Sequence, residues 1–242
     1  MINKSIDLWI EELSATDNEY QLYWKLLDAN EQAKAMRFIQ EKHRKQYVIS
    51  HGKVRTILAS YIDIAPEKLH FEVEAYGKPY CVADGRPHEI KFNLSHSDNK
   101  MGVAVGYYEN LGVDIEVWNS KVDFLAVVNE CFSEAERSYW QALPDNKKQA
   151  VFYRFWTRKE SFAKAVGSGI TLGVAQVITS LNGTACFVSI PVSYGSACDW
   201  TVVDLDVGQG ITGALTVDVR YKAQGEILKV NSLSLESSGL KP

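Results

Sequence analysis

An α+β fold is predicted by three features of this 242-residue chain. Period-two alternation runs from Phe92 to Val117, helical periodicity lies on both sides of it, and the stretch after Gly167 is rich in Val, Thr and Gly. Strands and helices in mixed order suit α+β better than a doubly wound sheet.

After an apolar start, a helix is expected over about 28–36 and a second over about 41–61. In the second, Tyr47, Val54, Leu58 and Tyr61 recur at helical spacing and should face a core. Pro66 and the Leu69-His70-Phe71 alternation mark a turn into a strand. Gly77-Lys78-Pro79 and Asp84-Gly85-Arg86-Pro87 read as turns. Phe92 and Leu94 alternate with Asn93 and Ser95, and Val103 and Val105 precede Tyr107. With Asn110-Leu111-Gly112 as a turn and Val113, Ile115 and Val117 alternating beyond it, a hairpin over 102–117 is the simplest reading. Helical periodicity returns over 133–143 and strongly over 150–166, and short strands follow, ending in a polar tail.

Apolar residues make up 46% of the chain and charged residues 23%, enough for a substantial core. A formal charge of −4 argues against a general nucleic-acid or polybasic membrane binder. No apolar run reaches the roughly 18 residues that span a bilayer, and residues 1–7 lack an apolar signal core, so a cytoplasmic protein is expected. Cys81, Cys131, Cys186 and Cys198 never form a C-x-x-C pair and read as thiols in a reducing compartment.

The chemistry concentrates in a few segments. In Gly112-Val113-Asp114-Ile115-Glu116-Val117, alternation sends the apolar side chains to one face and Asp114 and Glu116 to the other. Two charges about 7 Å apart along a strand repel by roughly 2 kcal/mol at an effective dielectric near 20. That is modest on a solvated face and calls for a cation in a cleft. Between Phe152 and Lys164, Phe152, Phe155, Trp156, Phe162 and Ala163 form an apolar arc with Glu160 and Lys164 on its flank, one turn apart. An i, i+4 surface ion pair is the ordinary reading of those two. Lys159 falls inside the arc, either snorkelling out along its stem or reaching a site at the helix margin. Asn93-Leu94-Ser95-His96-Ser97 sets small polar residues around one histidine, at a strand end. Positions 34–55 hold seven Lys/Arg and one acidic residue, Glu41, which suits a small polyanion as well as a solvated helix face.

In this order, Gly77-Lys78-Pro79, Phe92-Asn93-Leu94-Ser95-His96-Ser97, Gly112-Val113-Asp114-Ile115-Glu116 and Trp156-Thr157-Arg158-Lys159-Glu160-Ser161-Phe162-Ala163-Lys164 resemble the 4'-phosphopantetheinyl transferases of the larger, surfactin-synthetase-activating type. The likeness runs from about Ala33 to Gly169. It implies a pseudo-dimer of two similar α/β halves, 1–110 and 111–242, with the active site in the cleft between them. It also implies transfer of the 4'-phosphopantetheine arm of coenzyme A to a serine of an apo acyl, peptidyl or aryl carrier protein, leaving adenosine 3',5'-bisphosphate.

By that resemblance Asp114, Glu116 and Glu160 hold Mg2+, or Mn2+, whose preference is for hard oxygen ligands. Glu160 is the base for the carrier serine, Lys164 steadies the departing bisphosphate, and His96 binds the diphosphate with Ser95 beside it on the nucleotide. Lys78 and Lys34 match residues that grip the 3'-phosphate, with Arg37 and Arg44 as auxiliaries, while Tyr76, Gly77 and Pro79 shape the adenine side. The carrier is expected to dock along 118–132. There Trp118, Phe124, Leu125 and Phe132 read equally as contacts or core, and Lys121 is a steering charge. One chain supplying both halves implies a monomer. Two other readings of the same residues are a metal-dependent phosphohydrolase and a noncatalytic coenzyme A-binding relative.

Overall fold

The computed structural model describes residues 5–83, 85–169, 173–220 and 228–240. Asp84 of the second expected turn lies outside the described residues, as do residues 1–4. The chain opens with β1 (Ile6–Glu12), then α1 (Asp17–Leu26), α2 (Ala29–Ala35) and the 22-residue α3 (Glu41–Ile62). Thr16 and Asp28 start the first two helices with capping boxes to Glu19 and Glu31, so side-chain oxygens take amide protons the helix cannot. Next come β2 (His70–Val73), β3 (Pro79–Ala83), the short β4 (Arg86–Pro87), β5 (Lys91–Ser97) and β6 (Lys100–Gly106).

The second half begins at β7 (Leu111–Val117), followed by α4 (Phe124–Cys131), α5 (Glu134–Gln141) and a second 22-residue helix, α6 (Asp145–Val166). Strands β8 (Ile178–Thr179), β9 (Phe187–Ser189), β10 (Trp200–Leu205) and β11 (Ile211–Asp218) lead to β12 (Val230–Leu233) and the short α7 (Leu235–Ser238).

The two halves repeat one topology. In the first sheet β1, β6 and β5 lie side by side and antiparallel; in the second, β7, β11 and β10 do the same. Each first strand feeds a 22-residue helix (α3 or α6), each helix is followed by a small antiparallel pair (β2–β3 or β8–β9), and the last two strands complete the sheet. Strand β12 departs from the simple division at residue 111, because it returns to pair in parallel with β1.

One expectation is corrected. Residues 102–117 do form two strands, but not a hairpin: β6 pairs with β1 and β5, and β7 pairs with β11. Alternation fixes a strand and its buried face, not its partner. The chain crosses from one sheet to the other between these strands. An apolar cluster of Ile6, Leu8, Ala104, Leu111, Val113, Leu215 and Val217 closes the junction.

The basic stretch is also less open than its composition suggests. The Arg55 side chain is fully buried and bonded to Asp28 and Glu31, and Lys53 is buried 2.8 Å from Glu11. Lys42 and Lys45 pair with Asp98 and Glu41 at the surface. Lys34, Arg37 and Arg44 are left outside ion pairs among the described residues. No helix among those residues is long and apolar enough to cross a membrane.

Candidate active site

The site forms where α6 crosses β7. Gly112 decides how close they come: a Cβ built there would lie 2.1 Å from the Ser161 carbonyl oxygen and 2.3 Å from the Ala165 nitrogen. The helix therefore rests directly on the strand backbone. Even-numbered side chains of β7 then meet α6 in turn, with Asp114 beside Lys164 and Glu116 beside Trp156.

Lys164 does not pair with Glu160 one turn earlier. Its Nζ lies 2.7 Å from Asp114 Oδ1 and donates at 2.8 Å to Ser95 Oγ. Asp114 is 3% exposed, and its Oδ2 has no protein partner. Burial raises the Asp114 pKa, with Lys164 and Ser95 opposing. Glu116 and Glu160 are raised as well, first by burial and then by the Asp114 charge, with Glu116 adding to the effect on Glu160. Three carboxylates from two elements thus share one electrostatic neighbourhood. Elevation by burial and by a neighbouring like charge marks a place where carboxylates are held close against their repulsion.

The residues fit a divalent cation in donor chemistry: all three are hard carboxylate oxygens, and the orphaned, buried Asp114 Oδ2 lacks the partner such an atom ordinarily has. Among the described residues no three His, Cys, Asp or Glu side chains already stand in a ligand shell. The Lys164 ammonium instead provides the positive charge at Asp114.

Strand β5 reaches β7 through side chains. Asn93 Oδ1 accepts from the Val113 amide at 2.8 Å, Ser95 Oγ from Ile115 at 3.2 Å and Ser97 Oγ from Val117 at 3.1 Å. Three oxygens spaced by two thus stand in for a backbone ladder between the halves. Each serine also donates to an acidic side chain, Ser95 to Asp114 at 3.0 Å and Ser97 to Glu116 at 2.6 Å. The odd-position polar alternation Asn93, Ser95, Ser97 was the available sequence signal for this seam. The Ser95 hydroxyl is buried, donating once and accepting twice, so its bonding capacity is taken up inside the seam.

His96 points the other way on β5 and is exposed. It lines a cavity of about 330 Å³ with Lys34, Phe38, His43, Gln46, Tyr47 and His51. Asp98 borders this cavity and a second, of about 600 Å³, lined by Ser97, Glu116, Trp118, Asn119, Phe152, Tyr153 and Trp156. A polar, cation-lined compartment and an aromatic one therefore meet at Asp98, the second reaching Glu116. Sequence reasoning had not singled out His43 or His51 for the first compartment.

The remaining residues singled out from the sequence lie around this crossing and along 118–132. The Lys78 ammonium turns inward, donating to the Leu111 and Ala165 carbonyl oxygens at 3.0 and 2.8 Å, and burial draws its pKa down to about 8. Tyr76 and Gly77 stay exposed at the tip of the β2–β3 turn, and Pro79 begins β3. Lys159 neither snorkels nor reaches the cleft: its side chain and that of Glu136 are both fully buried, 2.9 Å apart, and it also donates to Val177 O. Phe132 is core at 2% exposure and Phe124 packs on Phe152 and Tyr153, whereas Trp118 and Leu125 remain exposed.

Two family models match the two halves. A 4'-phosphopantetheinyl transferase N-terminal model covers residues 11–106, and the model of the 4'-phosphopantetheinyl transferase superfamily covers 110–206.

The chain belongs to the 4'-phosphopantetheinyl transferase family.

Its relatives include the 4'-phosphopantetheinyl transferase HetI of Nostoc sp., 29% identical over 90% of this chain and 89% of that protein. The transferase Sfp of Bacillus subtilis is 27% identical over 81% and 84%. The transferase gsp of Aneurinibacillus migulanus is 29% identical over 62% and 60%. The models meet between residues 106 and 110, where the chain passes from one sheet to the other, so family pattern and repeated topology divide the molecule at the same place.

Proposed function

We propose that this chain transfers the 4'-phosphopantetheine arm of coenzyme A to a serine hydroxyl of an apo carrier protein, acting as a cytoplasmic monomer. The observation that carries this reading is the convergence of Asp114, Glu116, Glu160 and Lys164 at one crossing, with Glu116 lining the larger of two cavities that share Asp98. Family membership favours it over diphosphate hydrolysis or simple coenzyme A sequestration.

Asp114, Glu116 and Glu160 would hold Mg2+ or Mn2+, which when bound neutralises diphosphate charge and aligns the phosphorus for in-line attack. The protein groups do the rest. Lys34 and His96, with His43 beside them, line a compartment suited to the phosphorylated nucleotide end of coenzyme A, and exposed Arg37 and half-buried Arg44 add long-range attraction. Trp118, Trp156 and Tyr153 line the neighbouring compartment, where the pantetheine arm and the approaching carrier fit, with exposed Leu125 and Lys121 nearby on the surface.

The carrier serine is a weak nucleophile until its proton is taken. Glu160, whose pKa is raised by burial and by the Asp114 charge, is the proposed acceptor of that proton, and such proton removal contributes about 10² to 10⁴ in rate. The new bond joins the serine oxygen to the phosphorus that carries the pantetheine arm. The bond broken joins that phosphorus to the oxygen of adenosine 3',5'-bisphosphate. Lys164 faces the negative charge that collects on this departing oxygen.

The test is incubation with coenzyme A, Mg2+ and an apo carrier, followed by intact-mass analysis. A mass gain of one phosphopantetheine on the carrier serine is expected. Consumption of coenzyme A with an unmodified carrier would instead establish a hydrolase.

A further inference from the structure

The β2–β3 hairpin belongs to the first half, yet its one inward-facing lysine is bonded entirely to the second. The turn is tightly closed: Gly77 N donates to Glu74 O at 2.8 Å, Glu74 N to Lys78 O at 2.9 Å, and Gly77 takes a φ of +87°. That closure aims the next side chain, Lys78, across the junction. Its Nζ reaches Ala165 O at 2.8 Å and Leu111 O at 3.0 Å.

These two carbonyls matter by their location. Ala165 lies in the last turn of α6, where carbonyls have no amide partner within the helix and carry the negative end of its dipole. A cation there satisfies both. Leu111 is the first residue of β7. The helix end also leans on the lysine stem: a Cβ built at Gly167, which caps α6 with φ +69°, would lie 3.6 Å from Lys78 Cδ. Lys164 immediately precedes Ala165, and Asp114 is three residues beyond Leu111. One ammonium therefore ties together the two backbone segments that carry the 2.7 Å Lys164–Asp114 pair.

We propose that Lys78 is a positioning residue, a clip from the first half that sets the register of α6 on β7, and not a ligand of the coenzyme A 3'-phosphate. This rests on the activity proposed above. A phosphate contact needs ammonium protons directed at solvent or ligand, and two of the three are already given to buried carbonyls.

The test compares coenzyme A with 3'-dephospho-coenzyme A as donors for wild type, Lys78→Met and Lys78→Arg. The clip predicts that Lys78→Met loses roughly 10- to 100-fold in kcat with both donors alike, as a small misplacement of catalytic groups does. KM should change little, the preference between donors should stay within about twofold of wild type, and Lys78→Arg should recover part of the loss. General destabilisation would not produce this pattern, since kcat per folded molecule well below the melting temperature would be unchanged. If Lys78→Met does not fold, Lys78→Gln, which keeps a neutral donor, is read by the same donor ratio. Calorimetric binding of the two nucleotides supplies that ratio without any transfer, so an inactive wild type overturns the proposed activity and leaves this comparison intact. A donor preference that collapses toward one, by kinetics or by calorimetry, would make Lys78 a phosphate ligand. Wild-type kcat in Lys78→Met would remove the clip.

Discussion

Gly112→Ala is the substitution through which the fold most directly constrains the site. The added Cβ would lie 2.1 Å from Ser161 O, 2.3 Å from Ala165 N and 2.8 Å from Ala165 Cα. All three are backbone atoms of α6, so no side-chain rotation relieves the overlap. Restoring an ordinary contact of about 3.2 Å or more requires the helix to move away from β7 by about 1 Å. Overpacking of this kind costs about 1–3 kcal/mol and occasionally more; with the contact made wholly by backbone, a loss of about 3 kcal/mol is expected. For a chain of this size that lowers the melting temperature by roughly 6–12 °C. The same movement stretches the Lys164–Asp114 contact from 2.7 Å, and a misplacement near 1 Å costs about 10²-fold in rate. Differential scanning calorimetry and initial-rate transfer assays on the folded variant measure the two effects. A melting temperature within a degree of wild type, with an unchanged rate, would show that α6 does not rest on β7 as described.

Other outcomes follow from the seam and the buried charges. Ser97→Ala removes the bond to Glu116 and leaves the Val117 amide without its acceptor; chemical denaturation should show a loss of about 1–3 kcal/mol, with Ser97→Thr recovering much of it. Lys159→Met strands Glu136 uncompensated in the interior, a change expected to cost about 3–5 kcal/mol in the same measurement, without direct contact with the cleft. Glu160 has a raised pKa, so the native state holds its proton more tightly than the unfolded chain does. Its contribution to stability is full below the unfolded value near 4.5 and is lost as pH rises through the folded value. In chelator-treated protein, the stability of Glu160→Gln relative to wild type should therefore climb with pH across that window. A difference that is flat or falls with pH would contradict the crowding of carboxylates.

Much of this was legible in the sequence because two signals are local. Strand alternation put Asp114 and Glu116 on one face and Val113 and Ile115 on the other, and helical spacing put Glu160 and Lys164 on one flank; both hold in the structure. What the sequence did not disclose is pairing. No local pattern says that β7 joins β11 and not β6, or that Lys164 chooses Asp114 over its helical neighbour Glu160, because those choices depend on the close approach that Gly112 permits. Charge composition misled in the same way at Lys53 and Arg55, whose partners Glu11, Asp28 and Glu31 come from elements well upstream. Lys159 and Ser95 are the instructive residues. Lys159 reads as a charge bound for solvent or the helix margin and Ser95, by resemblance, as a nucleotide contact, and in the structure each bonds to groups within the protein.

Glu160 is the residue on which transfer depends most directly. With coenzyme A, Mg2+ and an apo carrier, the mass of the carrier after incubation with Glu160→Gln is the decisive reading, taken beside a thermal melt of the same sample. A melting temperature at or above that of wild type, with carrier modification slowed by at least about 10²-fold, is the predicted result. Modification at the wild-type rate would contradict it.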